Sequence, residues 1–189
     1  MSYTTQIDAA KKGIFTKQMA DVLKEEKHIN KEWLMERVAN GRIAIPANKN
    51  HINLIGKGVG DGLLTKVNVN LGVSEACNNM EMEIDKVRNA INLKADAIMD
   101  LSIFGDTRAF RRRLVEESPV MLGTVPMYDA VAKLGKNIKD MSVDDLFRVT
   151  EEHMVDGIDF LTIHAGLNRT CVERVQKNPR LTHIVSRGG

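Results

Sequence analysis

Lys66-Val67-Asn68-Val69-Asn70-Leu71-Gly72 is the stretch whose reading decides the fold. It is a short β-branched run that ends on amides and a glycine. Three runs of the same kind follow. Ala97-Ile98-Met99-Asp100 ends on a thioether and a carboxylate. Phe160-Leu161-Thr162-Ile163-His164 ends on an imidazole. His183-Ile184-Val185-Ser186-Arg187-Gly188-Gly189 ends on a hydroxyl, a guanidinium and two glycines. Helical patterns separate these runs. Strands alternating with helices imply parallel βαβ units, and in a β/α barrel the active site collects at the C-terminal strand ends. The expected fold is α/β, the first five strands of a TIM-like (β/α)8 barrel after a small helical N-terminal region.

Working outward, Thr16 caps a helix to about Lys27, and Asn30 caps a second with Trp33, Leu34 and Val38 at helical spacing. Asn40-Gly41 is a stop signal. Residues 56–62 carry four glycines in seven positions and read as a flexible connection, without the Gly-Lys-[Ser/Thr] ending of a phosphate loop. The expected division is residues 1–62 for the helical region and its connection, and 63–189 for the barrel part. Strands are expected at 66–71, 96–101, 120–123, 159–164 and 182–186. Helices are expected at 80–93, 107–117, from Pro126, from the Ser142/Asp145 capping box to Gly157, and at 168–177. A closed barrel takes roughly 250 residues. The chain is therefore expected to be the N-terminal part of a larger enzyme.

Bulk properties exclude some classes. Charged residues make up 28% of the 189, but the net charge is only +2, so no strong field points to nucleic acid or an anionic membrane. Arg111-Arg112-Arg113 is the one dense basic run and reads as a solvated helix face. No apolar stretch approaches the ~20 residues of a membrane span. Met1–Gln6 lacks the basic and apolar regions of a signal peptide, so a cytoplasmic protein is expected. Cys77 and Cys171 lie far apart without Cys-x-x-Cys spacing, and His28, His51, His153 and His183 show no metal-binding spacing. No metal site is expected in this chain, and no catalytic group is assigned.

Asn70, Met99 and Tyr128 are spaced 29 residues apart, and His164 follows 36 residues later. One βα unit takes about 30 residues, so the first three fall at equivalent places on successive units. Each has a structural alternative. Asn68 and Asn70 are amides in a strand expected to be buried, where hydrogen bonding alone explains one of them. Met99 suits a core, and Tyr128 suits a buried ring with a wet hydroxyl. An imidazole before Ala165-Gly166 approaches a ligand closely, or is a satisfied structural group. Asp100 is a candidate base or orienter, or a hydrogen-bonded carboxylate that fixes a loop. Arg187, with Ser186 and the glycine N–H groups, has the donors that phosphate takes.

At these residues the sequence resembles the phosphomethylpyrimidine synthase family of thiamine biosynthesis. The matching stretches are Ile45-Pro46-Ala47-Asn48 with Asn50-His51, 66–72, Ala97-Ile98-Met99-Asp100-Leu101-Ser102, Ser118-Pro119, Gly123-Thr124-Val125-Pro126-Met127-Tyr128, 159–166 and 184–189. The resemblance implies a radical S-adenosylmethionine lyase with a 4Fe-4S cluster. It would rearrange aminoimidazole ribotide to hydroxymethylpyrimidine phosphate as a cytoplasmic homodimer. It implies substrate contacts from Asn70, Met99, Tyr128, His164, Ser186, Arg187 and Gly188.

Departures from the family pattern accompany these matches. The family's Cys-x-x-Cys-x-x-x-x-Cys motif is absent here, as are the later-barrel histidines that hold zinc or another divalent metal. Cluster and metal ligands are thus expected outside this chain, which alone should be inactive. Ile103-Phe104-Gly105 stands where many members have a Thr-Gly-Gly-like turn. Two alternatives stay open at this point. One is the paralogue that forms 5-hydroxybenzimidazole for cobamides from the same ribotide. The other is a non-catalytic half-barrel that binds a phosphorylated ligand.

Replacing Arg187 by Lys in the full-length protein should weaken ribotide binding. A Lys ammonium cannot reproduce the bidentate pair, and one lost charged hydrogen bond costs on the order of 1.5–3 kcal/mol, roughly tenfold to over a hundredfold in affinity. Calorimetric titration of wild type and Arg187→Lys measures it; equal affinities would assign Arg187 to a structural salt bridge.

Overall fold

The structure is a computed structural model that describes residues 2–135, 138–179 and 181–182. Three short helices open the chain: α1 Gln6–Lys11, α2 Lys17–Glu25 and α3 Lys31–Ala39. Each starts at a polar side chain that accepts an otherwise unpaired N–H: Thr5 from Asp8, Thr16 from Met19, Asn30 from Trp33. The first helix was not expected; six residues are too few to display a period. Ala9, Met19, Val22, Leu34 and Val38 lose all exposure between these helices, and Ile43 and Ile45 extend the cluster.

The glycine-rich segment is not the loose connection expected from its composition. Its Val59–Gly60 (β2) pairs antiparallel with Ile43–Ala44 (β1). A Cβ on Gly60 would lie 2.2 Å from the Arg42 carbonyl oxygen, and one on Gly56 would lie 2.8 Å from the Gln18 Cα. Close backbone approach, which only glycine permits, is what these positions serve. The end of α2 is tied to the chain entering the next unit: buried Glu26 accepts from the Leu64 N–H at 3.0 Å and from Lys66 Nζ at 2.6 Å.

From there strands and helices alternate. The order is β3 Asn68–Leu71, α4 Met80–Asn92, β4 Ala97–Asp100, α5 Thr107–Glu117, β5 Met121–Thr124 and α6 Pro126–Leu134. A 3-10 turn at Ile138–Asp140, α7 Val143–Val155, β6 Phe160–Leu161 and α8 Arg169–Lys177 follow. The four strands β3–β6 form one parallel sheet in chain order. The Ser142/Asp145 capping box and the Pro126 start are as read from sequence. The last strand is shorter than the expected 159–164. Thr162 N–H donates to the Thr124 carbonyl at 2.9 Å, and beyond that rung β5 has already turned into α6. The expected fifth strand, 182–186, lies outside the described residues except for Thr182, a bend.

Paired residues of a parallel sheet share a face. Val69, Ile98 and Leu122 form one row and pack with Ile84, Val87, Phe110 and Leu114 against the helices. The opposite face carries Asn68, Ala97 and Met121 in one row and Asn70, Met99, Gly123 and Phe160 in the next. Leu54 packs on Ala97 and Met121, with Ala47 and Phe160 alongside.

The loop carrying Ala47 and Leu54 is held by a buried imidazole. His51 Nδ1 lies 2.7 Å from Asp159 Oδ2 and its Nε2 lies 2.8 Å from the Ser118 carbonyl oxygen. Both neighbours accept, so the ring donates from both nitrogens and is held as imidazolium. Burial pushes its pKa down, but the hydrogen bond and attraction to Asp159, with the Ser118 carbonyl, outweigh that and raise it above the ordinary value. Asp159 also accepts from the Leu122 N–H at 2.9 Å and the Asn48 N–H at 2.8 Å. A raised native pKa gives stability that is complete below the unfolded value of about 6.5. That stability is lost as pH rises through the native value. Urea unfolding from mildly acidic to mildly alkaline pH should show it, and His51→Ala should remove the slope at a cost of about 3–5 kcal/mol, because Asp159 then stays buried without its cation. A wild-type slope that survives in His51→Ala would sink this account.

Candidate functional site

The parallel ladder brings the C-terminal ends of β3–β6 to one end of the sheet. There Asn70 and Met99 are paired neighbours on the open face. The expectation of a buried amide strand does not hold: Asn68 and Asn70 are both exposed, because the Ala47–Leu54 loop covers that face over β4 and β5, on Ala97 and Met121, and not over β3. Asn68 Nδ2 donates to Asn70 Oδ1 at 2.8 Å, which fixes the Asn70 amide. Past the strand, Gly72 has φ +147°, and a Cβ there would meet the Ser102 backbone nitrogen at 2.6 Å. Its N–H donates to buried Glu83 at 3.0 Å. A recess of about 230 Å³ opens here, lined by Asn70, Gly72, Ser74, Glu83 and Lys86.

The other two candidates meet each other. Pro126, at the first position of α6, sets Tyr128 in the opening helical turn, and His164 lies just past β6. Their ring centroids are 5.5 Å apart and tilted by 36°. His164 Nδ1 is shielded from solvent and has no hydrogen-bond partner among the described residues. Such an atom normally finds one, which makes this nitrogen a candidate contact for a ligand. Beside it, Met127, Leu146, Phe147, Leu161 and Ile163 border a largely apolar hollow of about 360 Å³. Thr162 Oγ1 donates to Met99 Sδ at 3.7 Å, which links the two halves of the rim. Thr162 was missed in the sequence, although alternation from Phe160 puts it on the same face. The Phe160 ring lies against Gly123, where a Cβ would be 2.3 Å from it. Ser186, Arg187 and Gly188 lie outside the described residues.

Two sequence readings need correction. Asp100 is not on the open face. It shares a row with Leu71 and Thr124 towards the helices, and its carboxylate accepts from the Ser102 N–H at 2.9 Å. Burial pushes its pKa up against that hydrogen bond, so it fixes the turn after β4. The basic run is not a solvated face either. Arg111 is 1% exposed, with Nη2 3.0 Å from Asp156 and Nη1 3.4 Å from Asp129. It falls on the inward stripe of α5 with Thr107 and Leu114. Only Arg112 and Arg113 reach the surface, each on a carboxylate partner. A buried guanidinium is tolerable because carboxylates from two other helices meet it.

The radical SAM ThiC family model matches residues 5–189. The phosphomethylpyrimidine synthase of Clostridium perfringens (strain ATCC 13124) is 58% identical over 189 residues, all of this chain and 43% of that protein. The proteins of that name from Clostridium tetani and Clostridioides difficile are 57% and 53% identical over the whole chain, which covers 41% and 43% of their lengths. The chain thus spans less than half the length of the curated relatives it matches. With the family model matched over nearly every residue and identity above one half throughout, the chain belongs to the radical SAM ThiC family.

Proposed function

We propose that the residues from 63 onward begin a (β/α)8 barrel behind a helical region at 1–62, and that the rim of this barrel binds aminoimidazole ribotide. The ribotide would be rearranged to hydroxymethylpyrimidine phosphate for thiamine. The observation that carries this reading is the meeting of Asn70 with Met99, and of Tyr128 with His164, at one end of a parallel sheet. Strand C-termini are where barrel enzymes place their chemistry. The name shared by the relatives supports it.

In this proposal Asn70 and His164 Nδ1 hydrogen-bond the ribotide. Met99 and Tyr128 confine it, and Ser186, Arg187 and Gly188 take the phosphate. S-adenosylmethionine and a 4Fe-4S cluster supply the one-electron chemistry. The chain's own thiols do not fit that cluster: Cys77 sits in the turn after β3, Cys171 lies on α8 and donates to the Gly166 carbonyl, and there are only two. The cluster ligands, and those of a zinc or other divalent ion, would come from outside these 189 residues. Assembly as a cytoplasmic homodimer completes the proposal; among the described residues no helix is long and apolar enough to cross a membrane.

The test uses the full-length protein under anaerobic conditions with S-adenosylmethionine and ribotide. Wild type should form hydroxymethylpyrimidine phosphate. Asn70→Ala and His164→Ala should each weaken ribotide binding by about tenfold or more, the size of one lost hydrogen bond to a buried group. Appearance of 5-hydroxybenzimidazole would move the chain to the paralogous reaction. Unchanged ribotide affinity in both variants would overturn the site.

A further inference from the structure

Behind the rim, on the helix side of the sheet, three polar side chains form a line. Thr124 Oγ1 lies 2.8 Å from His153 Nδ1, and His153 Nε2 lies 2.9 Å from Asp129 Oδ2. Asp129 also accepts from the Thr107 hydroxyl and, at 3.4 Å, from Arg111 Nη1. A hydroxyl, an imidazole and a carboxylate in line suggest a nucleophile set. Burial rules that out: Thr124, His153 and Asp129 are 1%, 2% and 3% exposed, and Thr124 shares its row with Leu71, Asp100 and Leu161, away from the open face. No substrate reaches this hydroxyl.

What the line does is join three elements. Thr124 is the last residue of β5, His153 is in the last turn of α7, and Asp129 is in the first turn of α6. The start of α6 is unusual among these helices, because its cap position is Val125 and no side chain caps it. Nothing polar at the cap therefore fixes the direction in which α6 leaves the sheet. Asp129 is anchored in its place, one residue after Tyr128. The Asp129 carboxylate has its pKa held at about 2: burial pushes it up, but His153, Thr107 and Arg111 outweigh that. It stays an acceptor, so His153 donates from Nε2, and Nδ1 is left for the Thr124 hydroxyl.

We propose that Thr124, His153 and Asp129 are positioning residues that set the entry of α6 and thereby hold the Tyr128 ring against His164 at the rim. This rests on the reading of the rim as the ribotide site only for its effect on binding. The placement of Tyr128 itself is independent of any ligand. Val at 124 keeps the shape of Thr and removes the hydroxyl. Ser restores the hydroxyl.

The experiment incorporates fluorotyrosine into the full-length protein and assigns the Tyr128 fluorine resonance by its loss in Tyr128→Phe. In wild type this resonance should be single and displaced by the neighbouring His164 ring. In Thr124→Val it should shift and broaden, and Thr124→Ser should bring it back. Ribotide affinity should fall about tenfold in Thr124→Val, with S-adenosylmethionine affinity unchanged. If Thr124→Val does not fold, Asp129→Asn, which keeps the shape and removes the charge, is read in the same way. An unmoved Tyr128 resonance in the folded variant would overturn the relay. A moved resonance with unchanged ribotide affinity would leave the relay standing and count against the rim as the ribotide site.

Discussion

Everything at the rim depends on the register of the parallel ladder. A slip of β3 by one residue against β4 would turn Asn70 towards the helices and bring Val69 onto the open face beside Met99. Two carboxylates oppose such a slip. Asp96, just before β4, accepts the Val67 N–H at 2.7 Å, and Asp159, just before β6, accepts the Leu122 N–H at 2.9 Å. Each binds the backbone of the preceding strand unit, and each meets a cation from the segment between the helical region and the sheet. Lys57 lies 3.1 Å from Asp96, and His51 lies 2.7 Å from Asp159. Register and attachment of the N-terminal region are thereby set by the same two side chains.

The sheet separates two kinds of polar residue. On the helix side, Arg111, Asp129, His153 and Asp156 are almost fully buried and every one is paired. Buried charges persist only when their partners are present, so this layer is closed and its role is to orient. On the other side Asn68 and Asn70 are exposed, and His164 has a shielded nitrogen without a partner. The two layers meet at the turn from β5 to α6, where Tyr128 lies against His164 and Asp129 joins the buried line.

The local elements were legible in the sequence because their signals are local. The spacing of Asn70 and Met99 reflects one βα unit, whereas Tyr128, expected at the equivalent place on the next unit, lies in α6 because Met99 pairs with Gly123. The Ser142/Asp145 capping box, Pro126 and the caps at Thr16 and Asn30 act within a single turn of chain. Strands β3, β4 and β5 were placed to within two residues for the same reason: a short β-branched run between turn residues admits few alternatives.

Tertiary structure alone decided the rest, because those features depend on groups far apart in the chain. His51 and Asp159 are separated by 108 positions, and no pattern of either neighbourhood announces the pair. Arg111 looks like its two exposed neighbours until Asp129 and Asp156 arrive from other helices. The glycines at 56 and 60 read as looseness and serve close packing, since composition does not say what backbone will approach. The sequence by itself determined which residues stand at the strand ends, through the period of two and the length of the βα unit. Only the fold decided which of them stand on the open face and which are locked behind the sheet, because facing follows from register, and register is fixed by contacts across the whole chain.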